Sequence, residues 1–261
     1  MSDLYTQLNY GQVYIVPYGS SLSAYPLGPM DNVSMSSELD EITRKDPRTL
    51  SNSELDGVSR PSGGTLTGDL LELPPETLTA LLAGTRTEVP TGTNTDEVRT
   101  AMPGRTSMTA RLPLAITSIK SSDDLTTYVA GTDYVKMAGG VRWLAGGQLA
   151  TDVAAATADA DGHKSVPVKI TYTFPKSSLI EAFKKGRQFY KVFVNTVNEA
   201  GQLNGRRVTF HRARMALTGD LPLINRDSFA EIGVTFTLSE DPDRFGMDES
   251  ALMTWEEEII E

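Results

Sequence analysis

Three short stretches contain residue types that could bind a phosphate or a cation. Gly63–Gly68 is similar to a phosphate-binding loop, but it lacks the closing Gly-Lys-Ser/Thr and leads into a strand pattern instead of a helix. Asp241–Gly246 has three positions of a calcium loop, whereas Phe245 and Leu252 stand where oxygen ligands are required. Asp159–His163 is typical of a solvated turn. The sequence therefore predicts turns at the two Asp-containing stretches, and neither a phosphate site nor a metal site.

Catalytic groups at a recognisable spacing are missing as well. The chain has two histidines, His163 and His211, and no cysteine, so it can form neither a disulfide nor a thiolate metal site. It contains no Gly-x-Ser-x-Gly elbow. Carboxylates are numerous, which leaves a paired-carboxylate hydrolase open. We interpret the chain as a protein that is not an enzyme and uses no cofactor.

A basic segment surrounds His211 and contains Arg206, Arg207, Arg212 and Arg214. Nucleic-acid binding is one interpretation, but aromatic residues suited to base stacking do not alternate with these arginines. The interpretation that we favour is pairing with acidic residues on neighbouring strands or subunits.

Most of the net charge of −10 lies in the last 22 residues. Residues 240–261 contain nine acids and one arginine, which gives −8 and leaves −2 for the remainder, from 23 bases and 25 acids. An acidic terminus repels phosphate and so disfavours ordinary nucleic-acid binding. A solvated, poorly ordered terminus is one interpretation of this segment.

No targeting or membrane segment is apparent. The N-terminus has no basic stretch followed by an apolar one, as a signal peptide would. No apolar run approaches the roughly 18 residues that cross a bilayer. We therefore expect a soluble protein.

Short alternating or β-branched runs dominate the chain and predict about ten strands. They are residues 12–18, 32–36, 65–70, 107–120, 126–136, 141–144, 166–174, 188–195, 206–218 and 229–239. Residues 74–83 predict a single helix, because Leu78, Leu81 and Leu82 form an apolar stripe and Gly84 can end it. Residues 85–105 and 154–161 are predicted as loops, with a helix as the alternative for the second. The pattern is typical of a mainly β protein with two packed antiparallel sheets, a sandwich or partial barrel, and one flanking helix.

Residues 39–64 mix both signs of charge with few apolar anchors, and we predict a long loop there. A structureless loop of that length is unusual inside a compact domain, so it is either disordered or ordered against another subunit. About 25 extended residues reach roughly 80 Å, far enough to touch a neighbouring subunit. The candidate contact residues in this loop are Asp40, Glu41, Arg44, Lys45, Asp46, Arg48, Glu54, Asp56 and Arg60.

The order of these features matches a known pattern. A first strand ends in Pro17-Tyr18, and the charged loop closes with Ser62-Gly63-Gly64 before the helix with its leucine stripe. Tyr128–Tyr134 and Gly139–Arg142 are similar to a hairpin module of phage tail and baseplate proteins, and the closing strand ends in Glu240-Asp241-Pro242. In this order of elements, over most of residues 11–246, the chain resembles the major tail protein of bacteriophages, the tail tube protein. No single motif in it is diagnostic.

The resemblance implies a structural subunit of the virion that is assembled in the host bacterial cytoplasm. Six copies would form a ring, and rings would stack into a tube around a channel that holds the tape measure protein and later passes double-stranded DNA without reading its sequence. Tail terminator and tail tip proteins would be further partners, and no membrane insertion is implied. Residues 39–64 would bridge rings. The family pattern does not explain the acidic terminus, and we expect it to dock on a neighbouring ring with Trp255 as a candidate anchor.

The same resemblance divides the chain into four parts. Residues 1–111 would be the first half of the tube domain, with the inter-ring loop 39–64 and the helix 74–83. Residues 112–174 would be an inserted β-hairpin region, residues 175–246 the strands that complete the domain, and residues 247–261 an acidic extension. Two alternatives stay open: another virion component, such as a tail-completion or decoration protein, and a carbohydrate-binding β-domain. The hairpin module favours a long flexible tail, although the sequence does not decide whether the tail contracts.

Overall fold

The structure, a computed structural model, describes residues 9–45, 54–186, 188–199, 204–224, 226, 230–244, 246 and 248–259. The chain divides into two compact units: the first comprises Met1–Arg86 and Ile180–Glu261, and the second is Thr87–Leu179. The chain is mainly β with several antiparallel sheets, consistent with a β-sandwich, as the sequence predicts. The second unit begins earlier and ends later than the insertion expected at residues 112–174.

Two helices accompany seventeen strands among the described residues. The helices are α1 (Pro75–Leu81) and α2 (Gly147–Ala155). In chain order the strands are β1 (Asn9–Pro17), β2 (Tyr25–Pro26), β3 (Met30–Lys45), β4 (Glu54–Leu70), β5 (Thr85–Val89), β6 (Gly92–Ala101), β7 (Thr106–Met108), β8 (Ala115–Ser121), β9 (Thr127–Tyr128), β10 (Tyr134–Met137), β11 (Gly140–Trp143), β12 (Val166–Phe174), β13 (Ser177–Glu181), β14 (Tyr190–Asn198), β15 (Gly205–Leu217), β16 (Ile232–Leu238) and β17 (Met253–Glu257).

The first unit is built on one antiparallel sheet. Its strand order is β2-β1-β14-β15-β16-β4-β3, and β17 pairs with β15 as well. In β16 the residues Ile232, Val234, Phe236 and Leu238 are all buried, because alternate side chains of a strand point to the same face. Phe236 pairs with Leu66 of β4, so the buried face continues from one strand to the next. The other face of these strands is polar.

Helix α1 lies within the predicted residues 74–83 and belongs to the core of the first unit. Its Leu81 is buried in the same cluster as Leu27 and Leu70. The buried hydroxyl of Thr77 donates a hydrogen bond to the carbonyl of Leu27 at 2.6 Å. Pro75 disfavours the helical conformation of the residue before it, so Pro74 has a ψ of 146° and the helix begins at Pro75.

The second unit has a core of its own, shared by two sheets and α2. The sheets have the strand orders β10-β11-β7 and β6-β12-β8-β9. Trp143 of β11, Tyr172 of β12, and Leu149 and Val153 of α2 are buried in one cluster. The carboxylate of the buried Asp133 accepts the backbone N–H of Leu149 at 2.9 Å, which holds the beginning of α2 in place.

One loop prediction and the prediction of a single helix are wrong. Residues 85–105, predicted as a loop, form β5 and β6, and β6 pairs with β12 along most of its length. The Thr, Gly and Pro content of this stretch hides an alternation of exposed and less exposed residues in β6, which is interrupted once, at Thr95 and Asp96. The prediction of a single helix is also wrong, because a second helix, α2, spans Gly147–Ala155 and overlaps the low-complexity stretch 154–161 at its last two residues.

The long charged loop predicted at residues 39–64 is a hairpin in its described part. Leu39–Lys45 continues β3, and Glu54–Pro61 begins β4; we refer to these two segments together as the arm. β3 and β4 pair from Met30–Leu70 outward to Lys45–Glu54, with register shifts that include one between Glu38 and Leu39. The sequence conceals these strands because they lie outside a core and lack the apolar alternation that marks a half-buried strand.

Candidate assembly surface

The arm extends beyond the rest of the sheet in the first unit. β4 pairs with β16 only from Thr65 to Leu70, so within the described residues the two strands of the arm pair only with each other. Ile42 and Val58 stand opposite each other in the arm and are 61% and 49% exposed. A two-stranded hairpin alone is only marginally stable in water. Contact with another molecule that covers its exposed side chains would therefore stabilise the arm.

Residues of opposite charge occupy paired positions in the register of the arm. Asp40 is opposite Arg60 and Arg44 is opposite Asp56, on either side of the Ile42–Val58 pair. Residues 40, 42 and 44 lie on one face of β3, since side chains alternate along a strand. Cross-strand pairs of opposite charge support the register of a hairpin. An exposed apolar centre with charges of both signs on its flanks can give a contact both affinity and a fixed register.

The structure brings most of the sequence-predicted contact residues together, but not all of them. Asp40, Glu41, Arg44, Lys45, Glu54, Asp56 and Arg60 are all in the arm. Asp46 and Arg48 lie outside the described residues. Trp255 lies elsewhere, in β17, where it pairs with Val208 of β15. β16 and β4 stand between β15 and β3 in the sheet.

The strand β3 forms an open edge of the sheet. It is 16 residues long, and no strand in the described part of the chain pairs with its outer side. At the opposite end of the sheet, the two-residue β2 pairs only with Tyr14 and Ile15 of β1. Exposed edge strands present unpaired N–H and C=O groups, which favour pairing with another chain.

Hydroxyl groups cover the polar face of the sheet next to this edge. Ser34 stands opposite Thr67 and Ser36 opposite Thr65, with hydroxyl hydrogen bonds of 3.1 and 2.7 Å. On β16, Thr235 and Thr237 continue the same two rows, opposite Thr67 and Thr65. The face therefore carries six uncharged hydroxyls on three strands. The sequence shows the signal as three hydroxyl-x-hydroxyl repeats, which sequence reasoning did not use.

The basic segment on β15 meets the acidic terminus. Arg206 Nη2 lies 2.8 Å from Glu257 Oε1, and Arg207 Nη1 lies 3.7 Å from Glu256 Oε2. The Arg206 guanidinium, by hydrogen bonding to Glu257, holds the pKa of that carboxyl below its usual value. The guanidinium of Arg212 lies 3.7 Å from the centre of the Phe189 ring, within the range of a cation–π contact. Pairing of these arginines with acids on a neighbouring strand is thus confirmed for Arg206 and Arg207.

His211 is the buried titratable group of this region. The guanidinium of Arg244 packs against its imidazole, with Nη1 3.1 Å from Nδ1. Burial lowers the pKa of His211, and the positive charges of Arg244 and Lys191 lower it further. Asp241 forms the predicted turn, since its carboxylate accepts the N–H of Asp243 at 3.1 Å.

The other residues that could bind a cation do not form a cluster in the described part of the chain. At Asp159 the carboxylate accepts the N–H groups of Asp161 and His163, which confirms the predicted turn. In the described ranges no three His, Asp or Glu residues come together as a set that could hold a metal ion. Within the same ranges neither helix is long and apolar enough to span a membrane.

A family model described as "Protein of unknown function UCP028589" matches residues 7–256. The chain belongs to this family. The match extends across both units, so the arm and all of β17 except Glu257 fall inside the matched residues. No curated protein matches the chain.

Proposed function

We propose that this member of the family is a structural subunit that assembles with copies of itself into stacked rings, as the tail tube protein of a bacteriophage does. The observation that carries the proposal is the open outer edge of β3 together with the exposed arm. Both are surfaces that a copy of the same chain can cover. The resemblance in the order of elements supplies the particular assembly, with the tape measure, terminator and tip proteins as further partners.

The order of strands in the sheet is compatible with ring closure. The sheet ends at β3 on one side and at β1 with its short neighbour β2 on the other. Head-to-tail pairing of these two different edges would repeat by rotation and close a ring, so that every edge is covered. The arm lies outside this sheet-to-sheet contact and would bind the next ring along the axis.

The hydroxyl face is the surface best suited to the channel. DNA carries one negative charge per roughly 1.7 Å, so each exposed arginine or lysine in a channel wall would retain it. The hydroxyls of β3, β4 and β16 carry no charge, and those of β3 and β4 already form hydrogen bonds to one another across the two strands. We place these strands at the wall of the channel.

The test is the assembly state of the full chain. Light scattering and negative-stain electron microscopy over a wide range of protein concentration should give rings, and tubes at the higher concentrations. The variant Ile42→Asp puts a charge in the centre of the arm and should abolish tubes while leaving single rings. The matched control is Leu125→Asp, at a residue 85% exposed in the second unit, which should assemble like the wild type.

Each outcome decides between structural roles. Tubes in the wild type and in the control, with rings alone for Ile42→Asp, support the proposal. Finite rings that never stack at any concentration would favour the other virion components, such as a tail-completion protein. A chain that stays monomeric over the whole range, also with tape measure and tip proteins present, would contradict the proposal.

A further inference from the structure

One edge of β15 is shared by two strands that are distant in sequence. β16 pairs with Ala213–Leu217, and β17 pairs with Arg206–Phe210 on the same side. β17 comes from the acidic end of the chain, for which the sequence leaves two interpretations open: a solvated terminus or a segment docked on a neighbouring subunit. The edge at Arg206–Phe210 is therefore a docking site for an acidic strand.

The connector between β16 and β17 is much longer than the gap that it bridges. Leu238 pairs with Ala213, and Met253 pairs with Phe210, so the two strands approach within three positions along β15. Three strand positions span roughly 10 Å, whereas the 14 residues from 239 to 252 could extend over about 46 Å. The connector instead folds back on itself, with the N–H of Asp241 donating to the carbonyl of Ala251 at 2.9 Å. Its length lets β17 reach a second molecule without any change in β15.

Charged groups hold the C-terminal end of β17 at this docking site on β15, which we call its dock. Glu257 accepts hydrogen bonds from Arg206 at 2.9 Å and from Asn204 at 2.6 Å, and Glu258 accepts the N–H of Gly205 at 3.2 Å. The Arg206 side chain is only 8% exposed, so this pair is shielded from solvent on the arginine side. Charge-assisted hydrogen bonds are stronger and more directional than neutral ones, which fixes the register of the strand.

Apolar contacts contribute less to the same dock. Leu252 and Met253, at the near end of the strand, pack on the core of the first unit. Trp255, the largest side chain of β17, is 56% exposed. A strand held by matched charges at one end can leave its dock and enter an identical dock with little loss of buried apolar surface.

We infer that β17 exchanges between copies, so that the acidic strand of one molecule docks on Arg206–Phe210 of another. The second copy is the partner, because only a strand with glutamates at the positions of Glu256 and Glu257 matches Arg207 and Arg206 in this register. The exchange does not require tube formation. It would link any two copies of the chain through a main-chain ladder and two ion pairs.

A charge exchange between two full-length variants tests this inference. Arg206→Glu gives a dock that repels its own strand, and Glu257→Arg gives a strand that its own dock repels. In a mixture of the two, each dock can bind the strand of the other molecule with opposite charges. With a tag on one variant, recovery of the untagged one should exceed that from either variant with itself by about tenfold or more, the factor for restoring one charge-assisted pair. Native mass spectrometry identifies the mixed species.

Two controls separate exchange from other effects. The double variant Arg206→Glu/Glu257→Arg restores the pair within one chain and should fold and behave like the wild type. The second control exchanges the charges of Arg86 and Glu76, 3.3 Å apart in the same unit but on elements that do not leave the fold. A mixture of Arg86→Glu with Glu76→Arg should give no mixed species above background.

The outcomes are distinct even where a single variant is poorly folded. Mixed species from the Arg206 and Glu257 variants alone support exchange. If the double variant folds like the wild type but the mixture of single variants gives no mixed species, the strand stays on its own chain. That result would overturn the inference. Single variants with wild-type Trp255 fluorescence and no mixed species would also overturn it, since the pair would then not hold the strand. None of these results depends on whether the Ile42→Asp variant of the arm forms tubes.

Discussion

The hairpin of β3 and β4 consists of two regions that share the same two strands. In the root, residues 65–70 of β4 lie between β16 and β3, and Leu66 and Leu70 are buried. In the arm, the two strands have only each other, and Ile42 and Val58 are exposed. Within the described residues the root is covered by its own molecule, whereas the arm leaves the apolar side chains of Ile42 and Val58 exposed. We therefore expect the root to determine stability and the arm to determine assembly.

The largest effect should come from emptying the core behind the root. Phe236→Ala removes a fully buried ring from the strand that pairs with Leu66. We expect the free energy of unfolding of the first unit to fall by about 3–5 kcal/mol, the usual cost of such a cavity. Urea unfolding followed by circular dichroism measures it. A loss below about 1 kcal/mol would mean that the root does not carry the stability.

A smaller loss should follow from breaking the tie between α1 and the core. Thr77→Val replaces the buried hydroxyl by a methyl group and leaves the carbonyl of Leu27 without its hydrogen bond. The expected cost is about 1–3 kcal/mol. Thr79→Val is the matched control, because the Thr79 hydroxyl donates to Pro75 within the helix and at its exposed side. Equal losses in the two variants would contradict the role assigned to Thr77.

Acid should weaken the first unit through His211. Its pKa is lowered in the fold, so below the ordinary value of 6.5 the unfolded chain binds the proton more readily than the folded one. The free energy of unfolding should therefore fall as pH drops through 6.5 and level off below the folded pKa. His211→Gln should remove this step while His163→Gln, in an exposed turn, should keep it. The charged groups around the imidazole, Arg244, Lys191, Asp241 and Glu249, stay the same in both variants.

The smallest effect on stability should come from the arm itself. Ile42→Ser removes exposed apolar surface and should change the free energy of unfolding of dilute protein by no more than about 0.5 kcal/mol. The same variant should raise the protein concentration at which tubes appear. A large loss of stability in dilute protein would show that the arm packs on its own molecule, and would remove the contrast with the root.

Sequence patterns predict the root well because its burial is one-sided. The alternation in residues 229–239 and 65–70 marks strands whose apolar face is covered within the unit, and β16 and β4 lie there. Helix α1 also lies within its predicted range, since a leucine stripe and a proline start are local signals. These features depend on contacts inside one molecule.

The sequence predicts a loop at the arm, and not strands, because the strands of the arm lack such a covered face. These strands mix charges of both signs in a pattern that is also typical of loops. Only the cross-strand register shows that Asp40 and Arg60 occupy paired positions. The ion pair between Arg206 and Glu257 cannot be predicted from local sequence patterns either, since the two residues are 51 positions apart. Helix α2 left a weak signal in Leu149 and Val153, which are spaced by one turn.

Hydrogen exchange along β3 tests the central claim most directly. The backbone N–H groups of residues 30–45 would be measured by mass spectrometry in dilute protein and in assembled particles. We predict rapid exchange at the outer side of β3 in dilute protein and at least about tenfold slower exchange after assembly, because a second copy then pairs with the open edge. Equal exchange rates in the two states, in particles that microscopy shows to be rings or tubes, would contradict the account.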